Sequence, residues 1–513
     1  MSVEPEGGES ASAVPGTRPS PLVRANPWRK VRAGRVAFLV DSAAYFAAAK
    51  FAISRARRQV LLLGWGFDPR TRLTPRAEDA GEIGTLLRWL ATRRPELDVR
   101  VLIWKSALPI SASQHFFPHR ARRWFRASSV RFRLDASVPY GACHHQKVLV
   151  VDDAVAFCGG ADFGVDRWDT PAHLDDEPGR ANPGGGRHPP RHEVMMMMDG
   201  PAAQALGDLA RTRWTRADGQ TPAPSAQDAG PDLRSSLWPE GLDADLHDVE
   251  VAIARTEPAW RGRAEIREVE ALHLESIRQA RRSIYLENQY FASPVVAEAL
   301  AARLAEPDGP DVALISSLHS PSYFDRLTMD RARSDLIARL RAADVYGRFR
   351  AYCPLTAGGR PIVVHSKVAV IDERIARVGS GNLNNRSGGF DTECDVAVET
   401  RSSREEAAVS GFRARLVGHF AGVEADKAQA FIAERGLAKG MDALAAAGGG
   451  RLSPLRATEM GPVARLIATY HLGDPCDPAD SWRPGRRRRR LRAQMSLLLA
   501  APSGAAGDPE VDR

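Results

Sequence analysis

The chain has 513 residues, 43% of them hydrophobic and 26% charged, with a formal net charge of +8. That composition is globular, leaves room for two ordinary domains plus tails, and contains no apolar run as long as a membrane span. Five scattered cysteines exclude a disulfide framework or a cysteine zinc site, and the basic balance (pI about 9.4) suits a polyanionic partner such as a phospholipid headgroup layer or nucleic acid.

In chain order, residues 1–33 are rich in Glu, Gly, Ser and Pro and read as a disordered leader without a secretory signal. Asp41 looks like the N-cap of a helix from Ser42 to about Arg57. Val60–Trp65, Val99–Trp104, Val130–Leu134 and His145–Asp152 read as strands, with a helix around Gly84–Ala91 between the first two. Residues 175–190 form an aperiodic loop. His192–Pro201 resumes as a strand whose four methionines are core filler, and a helix from Ala202 closes the first half. Residues 218–240 are polar and proline-bearing and read as a linker. The second half repeats the plan. Val249–Thr256, Ile284–Phe291, Val312–Ser316, His365–Asp372 and Cys394–Val398 are strands, and Ile266–Arg281, Thr328–Ala343 and Glu405–Phe420 are helices. Residues 451–513 read as a poorly ordered basic tail. Its run Arg486–Arg490, followed by Leu497–Leu499, is either a solvated segment or a peripheral membrane contact.

The repeat is explicit. His145-Gln146-Lys147 to Asp152 and His365-Ser366-Lys367 to Asp372 both read H-x-K-x-x-x-x-D, and the histidines lie 220 positions apart (365 − 145 = 220). Ala56–Leu62 matches Ala280–Leu286, and Gly159-Gly160-Ala161-Asp162 matches Gly379-Ser380-Gly381-Asn382, in the same order at nearly the same spacing. A duplication of this kind predicts two tandem, similar α/β/α sandwich domains with mixed sheets, residues 34–217 and 241–450. They form a pseudo-dimer whose shared site lies at the interface. On a strand, His and Lys two apart share one face, while the aspartate, an odd step further, lies on the other and braces the strand from behind. Two imidazoles and two ammonium groups converging on one point suit a phosphodiester. The lysines clamp its charge, one neutral imidazole attacks, and one imidazolium protonates the leaving oxygen. His144, His145, His188 and His192 fit neither a zinc finger nor a helical metal pair, so no metal and no cofactor is expected.

The paired motifs resemble those of the phospholipase D superfamily. The segments Gly159–Asp162 with Arg167–Pro171, Ile284–Phe291 and His192–Pro201 are similar to segments of its plant- and animal-type members. The resemblance, covering roughly Val36 to Gly422, implies a phosphohistidine intermediate, with His145 as nucleophile and His365 as general acid. The candidate catalytic set is His145, Lys147, Asp152, His365, Lys367 and Asp372. Asp162, Asn382, Ser380, Glu193 and Glu393 are implied phosphate-binding or orienting residues. The function expected is hydrolysis of glycerophospholipids to phosphatidic acid and a free alcohol, with transfer to other alcohols. The alternatives are cardiolipin synthase-like phosphatidyl transfer and a nuclease of the same family. The expected partner is a membrane surface contacted peripherally, from the cytoplasm or after export without a signal peptide, by a monomer with an internal pseudo-two-fold.

Overall fold

The computed structural model describes residues 20–77, 81–106, 118–225, 230–456, 461–480 and 482–500. The first half supplies β1 (Arg29–Val40), β2 (Gln59–Gly64), β3 (Asp98–Trp104), β4 (Arg131–Asp135), β5 (Val148–Val151), β6 (Val155–Gly159), β7 (Arg191–His192) and β8 (Val194–Asp199). The second supplies β9 (Leu246–Glu257), β10 (Ile266–Arg267), β11 (Ser283–Asn288), β12 (Asp311–Ile315), β13 (Phe349–Pro354), β14 (Val363–Val364), β15 (Lys367–Ile371), β16 (Ile375–Gly379), β17 (Glu393–Glu399) and β18 (Leu452–Pro454).

The two expected sheets are one. β1 and β9 pair antiparallel from Arg29 opposite Ile253 to Val36 opposite Leu246. Outward from this seam the order is β8-β6-β5-β2-β3-β4 on one side and β17-β16-β15-β11-β12-β13 on the other, the same path twice. In each half the three outer strands are parallel and joined by helical crossovers, while the inner ones are antiparallel. This is the mixed α/β architecture the alternation of elements predicts.

Side chains alternate across the sheet, so the run Met195–Met198 feeds two cores. Met195 and Met197 face the helices Asp41–Ser54 and Ile83–Arg93. Met196 and Met198 join a core shared by both halves, where Phe38 and Phe412 stack at 4.0 Å between centroids. That shared core runs beneath the seam and includes Trp214, Ile253, Val368 and Val396, so the halves are one hydrophobic body. All five cysteines are buried thiols.

The duplicated words identified in the sequence touch each other. Asp152 follows β5 in the left-handed region (φ 54), as Asp372 does after β15 (φ 55), a conformation aspartate tolerates better than most residues. The Asp152 carboxylate accepts from the backbone N–H groups of Arg57, Arg58 and Gln59 at 2.7–2.8 Å, and Asp372 accepts from those of Arg281, Arg282 and Ser283 at 2.7–2.8 Å. Each aspartate therefore caps the chain entering the neighbouring strand, β2 or β11, at the end of the motif strand away from the histidine.

Several boundaries move. β1 begins at Arg29, inside the expected leader, because its first residues are needed to pair with β9; residues 1–19 lie outside the described chain. Asp41 is not an N-cap. It has φ 67 and its carboxylate turns inward onto the His192 ring. The expected linker is packed onto the first half through the helix Pro231–Leu237 and the buried Leu237 and Trp238. The expected tail adds β18 to β13 and folds as the helices Pro462–Tyr470 and Pro484–Ala500. Arg487, the second residue of the arginine run, is buried and donates to the carbonyls of His471 and Asp480.

Replacing Asp152 by Ala leaves three backbone donors without their acceptor. Chemical denaturation should show a loss of about 2–4 kcal/mol, with turnover per folded molecule largely kept. A variant as stable as the parent but inactive would assign Asp152 to the chemistry instead.

Candidate active site

The strands of the two motifs begin later than the motifs do. His145, Gln146 and Lys147 precede β5, and His365 and Ser366 precede β15, in extended segments at the strands' mouths. Here each segment crosses to the other half. The His145 N–H donates to the Thr392 carbonyl at 3.0 Å and the His365 N–H to the His192 carbonyl at 2.8 Å. β7 and β14 form a short parallel pair on one side of the pseudo-axis, and His144 bridges Thr392 in parallel on the other.

The crossing carries the orienting groups with it. Glu393, in the second half, lies 2.9 Å from Nδ1 of His145, in the first. Glu193, in the first half, lies 2.9 Å from Nδ1 of His365, in the second. With Nδ1 engaged, Nε2 is the atom of each ring left for chemistry. The lysine ammonium groups fold back beside the rings: Lys147 donates to the His145 carbonyl at 3.0 Å and Lys367 to the His365 carbonyl at 2.5 Å. Gly160 lets the two segments approach closely: a Cβ there would stand 3.0 Å from the His365 carbonyl oxygen and 3.2 Å from Glu193 Oε2.

The remaining expected residues divide by role. Ser380 donates to Glu393 Oε2 at 2.5 Å, so it orients the carboxylate. Asp162 accepts from the Trp65 and Gly66 N–H groups at 2.9 and 3.1 Å and sits 3.3 Å from the Lys147 ammonium, so it positions that lysine. Asn382 is buried, and its Oδ1 has no hydrogen-bond partner among the described residues. Asp152 and Asp372 lie at the far ends of their strands and do not join the cluster.

Burial dominates the electrostatics. It pushes Glu193 up to about 7 and Glu393 up to about 8, and lowers Lys367 to about 7. His145 and His365 are held well below the usual imidazole range, by burial first and then by the neighbouring lysines. Burial thus shifts each of these groups toward its uncharged form.

The pseudo-symmetry breaks in its polar lining, and sequence reasoning missed this. Ser387 donates to Glu393 at 2.6 Å, and its counterpart at the motif spacing of 220 (387 − 167) is Arg167. Two residues before each glutamate stand Asp391 and Arg191. Asp391 is held by Arg386 at 2.7 Å. Arg191 is buried, 3.9 Å from Glu193, and is lowered to about 10 by burial and by Arg167. Arg167 and Arg191 both act electrostatically on His365. Aligning Arg191-His192-Glu193 with Asp391-Thr392-Glu393 would have exposed the exchange, since residues two apart share a strand face.

Two family models match the chain: phospholipase D over residues 52–296, and the cardiolipin synthase, phospholipase D-like domain over residues 273–411. Cardiolipin synthase A of Pseudomonas putida (strain GB-1) is 26% identical over 72% of this chain and 66% of its own length. Phospholipase D2 of Bos taurus is 23% identical over 74% of this chain, which spans only 51% of that protein. Among solved structures, the phosphatidylserine synthase of Haemophilus influenzae Rd KW20 superposes with a TM-score of 0.55 at 14% identity, over 77% of this chain and 89% of that one. Two matching models that overlap at 273–296 and together span 52–411, on a sheet duplicated about the β1–β9 seam, identify the chain as a member of the phospholipase D superfamily.

Proposed function

We propose that the protein is a phospholipase D-type phosphodiesterase that cleaves the headgroup from a glycerophospholipid through a phosphohistidine intermediate. The observation that carries this reading is the pair of imidazoles, each held at Nδ1 by the opposite half's glutamate, with a lysine beside each. In the first step His145 Nε2 attacks phosphorus. The N–P bond forms, the bond to the headgroup oxygen breaks, and His365 Nε2 gives its proton to that oxygen. In the second step His365 takes a proton from water as its oxygen attacks phosphorus, and the P–N bond breaks to release phosphatidic acid and His145. Lys147, Lys367 and Asn382 hold the non-bridging oxygens, which stabilises the charge that builds at phosphorus.

A membrane surface fits the surroundings. Tyr140, five positions before His145, is exposed and stacks on exposed Trp482 at 6.0 Å. Exposed Tyr323 and Phe324 begin the helix whose Asp325 accepts from Tyr290. Aromatic side chains of this kind suit a headgroup interface. Among the described residues no helix is long and apolar enough to cross a membrane.

A second reading, transfer of the phosphatidyl group to an alcohol in place of water, is favoured by Arg167 and Arg191. Two guanidinium groups near His365, sharing Asp166 at 2.8 and 3.6 Å, leave one net positive charge that disfavours a choline or ethanolamine cation and suits a polyol or an anionic headgroup, such as glycerol of a second phosphatidylglycerol. The cardiolipin synthase relatives carry that activity in their name.

Vesicles of phosphatidylglycerol, phosphatidylethanolamine or phosphatidylcholine, with ethanol present, separate these outcomes. Headgroup release with phosphatidylethanol as a product is expected, greatest on phosphatidylglycerol. His145→Ala and His365→Ala should each lose about 10²–10⁴-fold or more. Cardiolipin in place of phosphatidic acid from phosphatidylglycerol alone would select the transfer reading. Cleavage of single-stranded DNA with lipid untouched would overturn both.

The pH dependence has a definite sign. Lys367, lowered to about 7, loses its charge as pH rises through that value in the free enzyme, so its hold on a phosphate anion weakens on the alkaline side. kcat/KM should fall above about pH 7 while kcat falls less, because bound phosphate restores the ammonium. A kcat/KM profile flat to about pH 9 would contradict this role for Lys367.

A further inference from the structure

Beside the segment that carries His365, whose N–H donates to the His192 carbonyl, four side chains from four separate segments close on one point. Asp41 stands at the turn from β1 into its helix, His173 in the loop after Trp168, His192 on β7, and His419 in the last turn of the helix Ser403–Ala421. One ligand atom from each lies within 4.8 Å of all the others. Asp41, His173 and His192 are fully buried.

Three of those atoms make no hydrogen bond among the described residues, and two of them face each other, His173 Nε2 lying 3.6 Å from Asp41 Oδ2. Asp41 Oδ2, His173 Nε2 and His419 Nε2 are buried without a hydrogen-bond partner. An unpaired buried polar atom costs about 1–3 kcal/mol, so three converging on one point call for an occupant. They are also aimed. The other nitrogen of His173 is fixed by Asp169 at 3.0 Å, and that of His419 faces the Arg415 carbonyl at 3.3 Å. A carboxylate or a backbone carbonyl on the far nitrogen is how proteins set the tautomer and direction of a metal-binding histidine. His192 lies in the same cluster with both nitrogens engaged, Nδ1 2.9 Å from Asp41 Oδ1 and Nε2 2.9 Å from Glu287, so it becomes a ligand only when the ion displaces the Nδ1 proton that faces Asp41.

We propose that Asp41, His173, His192 and His419 form a structural site for one divalent transition-metal ion, zinc by ligand type. Nitrogen and carboxylate donors without thiolate suit zinc. Zinc–ligand bonds of about 2.0–2.2 Å require the cluster to contract by roughly 1 Å, which side-chain rotation supplies. The burial of three ligands leaves no open position for substrate, so the ion is a clamp. It ties His419 of the second half to three residues of the first, one position from Glu193, the carboxylate that orients His365. The Asp41 N–H also donates to the Glu193 carbonyl at 2.8 Å. The local spacing of histidines predicted no metal; the site exists only once the halves pack.

Metal analysis of the untagged full chain, after reconstitution with zinc and dialysis, tests this. About one equivalent per chain should remain. Cobalt in its place should give the intense visible absorption of a four-coordinate ion. His173→Gln and His419→Gln should lose both, while His247→Gln, an exposed histidine elsewhere, should keep them. A chelator should lower the melting temperature of the parent and leave that of His419→Gln unmoved. A parent chain that holds well under one equivalent and shows no cobalt absorption would overturn the proposal, as would ion retained in both variants. These readouts stand apart from activity, so a failed lipase assay would leave them unaffected.

Discussion

The structure depends on an exchange across the seam. Each motif histidine takes its hydrogen-bonding carboxylate from the other half of the chain, His145 from Glu393 and His365 from Glu193. A buried carboxylate costs several kcal/mol unless it is paired, and a buried imidazole left without a partner would be free to turn. Neither half can satisfy its own ring, so neither half alone holds a complete site. The continuous sheet through β1 and β9 and the core beneath it keep the two crossings in register.

Buried titratable groups are brought together here because the sheet ends at this point. The motif strands stop being strands at His145 and His365, and the extended segments that replace them cross to the other half. The aspartates of the same motifs work at the opposite ends, each capping three backbone donors. One short motif thus fixes a strand at its tail and presents chemistry at its head. That explains why its histidine and its aspartate, seven positions apart, lie at opposite ends of the strand and never meet.

Much of this was legible in the sequence. Two H-x-K-x-x-x-x-D words at one spacing gave the duplication, but the strands expected from His145 and His365 begin only at Val148 and Lys367. Alternation gave most strands, and the methionine run was core on both faces. Three kinds of feature were hidden. The fusion of the two sheets depends on β1 residues that look like leader by composition, because a strand flanked by arginines carries little hydrophobic signal. The packed C-terminal helices sit in an Arg-rich segment where buried Arg487 is satisfied by carbonyls that only the fold supplies. Within the site, Ser387, Arg167, Arg191 and Asp391 differ between the halves, and a repeat reveals what the halves share more readily than what they do not. The cluster of Asp41, His173, His192 and His419 is invisible to spacing for the same reason: its members come from both halves.

The two halves therefore bring both imidazoles and the lysines, glutamates and serines around them into one cluster, which we propose is a single reaction centre. The most direct test is acid-free quenching of the enzyme during turnover, followed by peptide mapping for phosphohistidine. The account predicts a phosphatidyl adduct on His145, absent from His145→Ala, that accumulates when His365 is replaced by a residue able to support attack but not release. An active enzyme that carries no adduct on either motif histidine, or that turns over with both replaced, would contradict it.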